Sequence, residues 1–75
     1  MKVKVRLDTV TDVANFVLTV NNIKSPVYLT DDEGLRVNAK SFLGVAHARE
    51  FKNLWCECQE DIYSRVEGFI TDQVD

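Results

Sequence analysis

Seventy-five residues with 45% hydrophobic and 28% charged side chains suit one small globular domain, spanning 1–75. A chain this short buries only about 60% of its unfolded surface, which argues against a deep enclosed pocket. Nine Lys and Arg against twelve Asp and Glu give a net charge of −3, which disfavours nucleic acid as a partner.

Residues 2–8 alternate, with Lys2, Lys4, Arg6 and Asp8 on one face and Val3, Val5 and Leu7 on the other, the pattern of a half-buried strand. This N-terminal stretch has no continuous apolar run for a secretory signal or membrane span, so a cytoplasmic location is expected, with no membrane partner. From Thr9 or Thr11 the period changes. Val13, Phe16, Val17 and Val20 form the stripe of an amphipathic helix that Asn21 and Asn22 can end. Pro26 resets the chain before a second strand, Val27 to Thr30. Asp31 to Gly34 make a hairpin turn, better read as a solvated tip than a calcium loop because spaced oxygen ligands are lacking. Leu35 to Asn38 form the returning strand.

Ser41 is placed as N-cap of a short helix through Phe42, Leu43, Val45 and Ala46, kept brief by Gly44. Phe51 to Cys58 resume alternation as a fourth strand, with Leu54, Cys56 and Cys58 on one side and Asn53, Trp55 and Glu57 on the other. Cys56 and Cys58 share a face at a spacing poorly suited to a disulfide, so they read as reduced core thiols. With His47 they make only three soft donors, too few for closed structural zinc, and neither a metal nor another cofactor is expected. Ser41 and His47 stand six apart with no third group to orient the histidine, which disfavours hydrolase chemistry. Glu60 and Asp61 suit the start of a final helix carrying Ile62, Val66, Phe69 and Ile70. The order β-α-β-β-α-β-α predicts an α+β two-layer open-faced sandwich, a four-stranded mainly antiparallel sheet with three helices on one face.

The element order and the segment GLRVNAKSFLGV, residues 34–45, resemble the histidine-containing phosphocarrier protein (HPr) family of the bacterial sugar phosphotransferase system. Gly34, Val37-Asn38, Lys40-Ser41 and Gly44-Val45 match that family's hairpin glycine, its VN-x-KS segment and the following GV. The likeness implies the family's fold over nearly the whole chain, with the first and fourth strands as neighbours. The family carries phosphate on a histidine within a segment resembling G-I-H-A-R-P-A. Counting back from Val37-Asn38, that histidine falls at Val10, the arginine at Asp12 and the proline at Val13, and only Ala14 agrees. Valine offers no nucleophile, and a carboxylate at Asp12 opposes an incoming phosphate.

The resemblance therefore implies a non-enzymatic regulatory or protein-binding module without the carrier reaction. In the family, the serine matched by Ser41 can be phosphorylated by a dedicated kinase, and a phosphate there would meet a helix N-terminus beside Lys40. A plain helix cap also accounts for Ser41, and is the simpler reading. The family's partner surface surrounds the two helix N-termini, which points to Val10, Val13, Phe42, Leu43 and Ala46. Trp55, beside Lys2, Lys4 and Arg6 on an open sheet face, offers an alternative docking or oligomerisation surface.

Overall fold

The computed structural model describes residues 1–71; the last four residues of the expected domain lie outside them. Four strands, β1 (Lys2–Lys4), β2 (Val27–Thr30), β3 (Arg36–Asn38) and β4 (Trp55–Cys58), form one antiparallel sheet in the order β1-β4-β2-β3. Three helices complete an α+β fold: α1 (Val10–Asn21), α2 (Phe42–Ala48) and α3 (Tyr63–Val66), the last followed by a 3-10 turn over Glu67–Phe69.

Alternation along the strands divides the sheet into two faces. Val27, Leu29, Cys56 and Cys58 point into a single core shared with Val13, Phe16 and Val20 of α1, Val45 and Ala48 of α2 and Val66 of α3. The opposite face carries Lys2, Lys4, Trp55, Glu57, Tyr28 and Arg36, brought side by side by the registers Lys4↔Trp55, Tyr28↔Glu57 and Thr30↔Arg36. Burying so many aliphatic side chains on one face supplies the main driving force, at about 1.5–3 kcal/mol for each large side chain.

The hairpin turn lies where the sequence places it. Asp31 Oδ1 accepts from the backbone N–H of Glu33 and Leu35, and Gly34 takes φ +92°, a conformation L side chains rarely adopt. Gly44 has a different reason for being glycine. A Cβ there would lie 3.3 Å from the Asn38 carbonyl oxygen, so its absence lets α2 begin close to the end of β3.

Several boundaries differ from the sequence expectation. The first strand is regular only over Lys2–Lys4, although Val5 and Leu7 stay buried and Arg6 and Asp8 exposed. Beyond Lys4, the Val5 amide donates to the Leu54 carbonyl while the next backbone groups pair outward: the Arg6 amide with the Phe69 carbonyl, the Lys4 carbonyl with the Thr71 amide. That outward pairing corrects the last helix. Ile70, expected on its apolar stripe, is extended at the C-cap of the 3-10 turn and forms an antiparallel bridge with Val5. The fourth strand starts at Trp55 rather than Phe51, because the amides of Glu50 and Phe51 donate to His47 and Ala48 and prolong the turn that ends α2.

Candidate functional site at the head of the first helix

The start of α1 is organised by its own side chains. Thr9 caps the helix, its Oγ1 accepting from the Asp12 amide at 3.0 Å. Asp12 returns the contact: Oδ2 accepts from the amides of Thr9 at 3.2 Å and Asp8 at 3.0 Å. This reciprocal capping box places a carboxylate on the amides and positive dipole end that make a helix head attractive to anions. The position that the family resemblance reserves for an arginine therefore holds a resident anion. Val10 is the first residue of α1 and is 65% exposed, placing an isopropyl group at the position matched to the family's histidine.

Arg49 holds this region from the other side. At the C-cap of α2, it donates through Nε to the Leu7 carbonyl at 3.2 Å and through Nη2 to the Asp8 carbonyl. Arg6 pairs with Asp8, Nε to Oδ1 at 2.9 Å. The cations nearest the helix head are thus engaged by backbone or carboxylate oxygens.

The contacts of Arg49 with residues 7–8, and of Asn21 Nδ2 with the Lys40 carbonyl at 3.1 Å, fix α1 and α2 as antiparallel neighbours. Their N-termini lie at opposite ends of the pair. The apolar patch expected around both N-termini is therefore not one patch: Val10 stands at one end, with Phe42 (44% exposed) and Leu43 (80% exposed) at the other. Val13 leaves the surface altogether, being 1% exposed in the core. Ala46 is half-buried against that core.

Ser41 is the exposed N-cap of α2, its Oγ accepting from the Gly44 amide at 3.1 Å. Lys40 does not project beside it as a free cation. Its ammonium donates to the Ile23 carbonyl just past the end of α1, where a cation complements the negative end of the helix dipole. Lys40 thus ties the start of α2 to the end of α1.

On the open sheet face, the ammonium groups of Lys2 and Lys4 lie 5.4 and 5.9 Å from the centroid of the Trp55 ring. Trp55 Nε1 donates to Asp32 Oδ1 at 2.9 Å, and the Asp32 carboxylate also accepts from Asn53 Nδ2. These two hydrogen bonds, that from Asn53 first, hold the Asp32 carboxyl below its ordinary value of 3.8, with Lys4 and Lys2 adding to the effect. Arg36 stacks on Tyr28 at 3.9 Å and Lys2 pairs with Glu57 at 3.5 Å. Lys2, Lys4 and Arg36 on this face each lie against a ring, Lys2 against a carboxylate as well.

Cys56 and Cys58 are free and buried in the core. Burial, reinforced by neighbouring Cys58, pushes the Cys56 thiol up to about 12. His47 is exposed on α2 and packs edge-on to Phe51, ring centroids 6.0 Å apart. The nucleophilic types in the chain are therefore dispersed: thiols in the core, imidazole on the helix surface, Ser41 hydroxyl at the opposite end of the helix pair from Val10.

No protein-family model, curated protein or solved structure matches this chain. The contacts at the site thus carry its interpretation. The Asp12 capping box was legible as Thr-x-x-Asp ahead of an apolar stripe, whereas the roles of Arg49 and Lys40 had no local sequence signal.

Proposed function

We propose that this protein is an HPr-like, cytoplasmic, non-enzymatic module that has lost histidine phosphocarrier chemistry and works by binding a protein partner within, or derived from, the sugar phosphotransferase system. The observation that carries the proposal is the Asp12 carboxylate on the amides of Asp8 and Thr9, at the position matched to that family's arginine and two residues after Val10, matched to its histidine. The pairing of β1 with β4 and the N-cap geometry of Ser41 after Val37-Asn38 support the family reading. Among the described residues no helix is long and apolar enough to cross a membrane, in keeping with a partner met in solution.

Incubation with phosphoenolpyruvate and the first enzyme of that system is expected to leave the intact mass unchanged. A transferable, acid-labile phosphate, including one on the sole histidine, His47, would overturn the proposal. A second reading keeps Ser41 as a phosphoacceptor for a protein kinase, favoured by its exposure at the head of α2. In that reading, kinase and ATP add one phosphate that peptide mapping places on Ser41. An unlabelled Ser41, under conditions that label a competent HPr, leaves only the cap.

A further inference from the structure

The cations of this protein gather where two paired strands part. β1 and β4 stay joined as far as the bond from the Val5 amide to the Leu54 carbonyl; beyond it, residues 6–8 lead to α1 while 49–53 arrive from α2. An open cleft of about 320 Å³ lies between the two segments. Its base is apolar, formed by buried Val5, Leu7 and Leu54, and its rim carries Lys4, Arg6, Arg49 and Lys52. Four of the chain's nine basic side chains thus share one cleft with a single carboxylate, Asp8, a local excess of three positive charges in a chain of net charge −3.

These charges are positioned without being neutralised. The Leu7 and Asp8 carbonyls hold Arg49 across the cleft, but they take two of the five guanidinium N–H groups and none of its charge. Arg6 gives one N–H to Asp8 and keeps four, in an exposed pair of a kind that is weak. Lys52 makes no ion pair among the described residues. Asp12, which bars anions from the head of α1, does not line this cleft, and Glu50 lines a separate one beside the hairpin.

We propose that this cleft binds a small polyanion, a molecule carrying two or more carboxylate or phosphoryl charges. Charge complementarity sets the sign of the ligand, and the number of cations sets its valence, since a single negative charge leaves most of the rim unmatched. A guanidinium fixed in place by backbone carbonyls presents its remaining N–H groups in the planar fork that carboxylate and phosphoryl oxygens accept. The apolar base strengthens the attraction, because low-dielectric walls focus the field of the charges above them.

The dimensions of the cleft select a compact ligand over a folded partner. It is only as wide as the gap between two segments that one arginine side chain bridges. This inference stands on the charge and shape of the cleft and does not depend on the family reading.

Calorimetric titration of the full chain at low ionic strength, with pyrophosphate and separately with citrate, tests it. One saturable site is expected, with a dissociation constant on the order of 0.1–1 mM that weakens steeply as salt is added. Binding of pyrophosphate alone assigns the ligand's charges to phosphoryl groups, and binding of citrate alone assigns them to carboxylates. Lys52→Gln and Arg6→Gln, both at exposed positions outside the core, are each expected to weaken binding at least about fivefold, the worth of one charge contact in water. Lys24→Gln, exposed beyond the other end of α1, should leave it unchanged. Binding of neither probe at concentrations up to about 10 mM would overturn the proposal. So would binding that survives both cleft substitutions, or that falls equally in Lys24→Gln, the behaviour of diffuse counter-ion attraction. Binding that appears only after removal of residues 72–75 would overturn it too, giving the cleft to Asp72 and Asp75, which follow Thr71 at its edge.

Discussion

Asp32 reaches from the hairpin tip to the start of β4, and its carboxylate accepts from Asn53 and Trp55 at once. Both donors favour the ionised form, which holds the folded-state value below 3.8. The sign of the linkage follows. The contribution to stability is present above the unfolded carboxylate value of about 3.9 and is lost as pH falls through the lower folded value. The emission of Trp55, the only tryptophan, is therefore expected to change with an acid midpoint below 3.8 and to lose that transition in Asp32→Asn. A midpoint at or above the ordinary carboxylate value would show that the indole does not report on this hydrogen bond. Asp12 and Asp32 also show how far single residues were readable. Asp12 lies three residues after a threonine cap, and that spacing announces its role. Asp32 and Trp55 are 23 residues apart, and no local pattern joins them.

The first helix depends on α2 for both of its ends. Its head follows carbonyls gripped by Arg49, and its tail is followed by the Ile23 carbonyl gripped by Lys40. Inside α1 the C-terminal carbonyls are served locally, with Asn21 Nδ2 and Asn22 Nδ2 donating to Val17 and Leu18 at 2.8 and 3.1 Å. Lys40→Met keeps much of the alkyl stem and removes the ammonium from the Ile23 carbonyl. A charge-assisted hydrogen bond together with a favourable helix-end charge is worth about 1–2 kcal/mol, so the urea midpoint should fall with an unchanged slope. An unaltered midpoint would return Lys40 to the solvent-facing role that its sequence position suggested. Amphipathic periodicity located α1, and a serine cap before an apolar run located α2, because each is a property of one helix alone. Their mutual orientation is not, and it is what separates Val10 from Phe42 and Leu43.

For the whole molecule, stability of roughly 4–11 kcal/mol is expected of 75 residues at the usual value per residue. That free energy governs access to the two thiols, which sit on the inward face of β4 beneath the helices. The thiolate is the reactive species, and burial has pushed the Cys56 thiol up to about 12. Labelling of Cys56 by a charged thiol reagent at neutral pH is expected only on unfolding, with its rate rising along the urea transition. Native-state labelling of Cys56 as fast as a small free thiol would contradict the packing described.

The sequence by itself determined the order of the elements, the hairpin turn, the Ser41 cap and nearly all of the core, since each depends on a period or spacing within a few residues. It also placed Val10 and Asp12 at the head of α1, where the absence of a nucleophile is a matter of side-chain identity. Only the tertiary structure decided that the two helix N-termini point to opposite ends, that Lys40 and Arg49 are bound to carbonyls 17 and 42 residues away, and that Ile70 pairs with Val5. These contacts join residues distant along the chain, and their partners are selected by packing geometry that no local periodicity encodes.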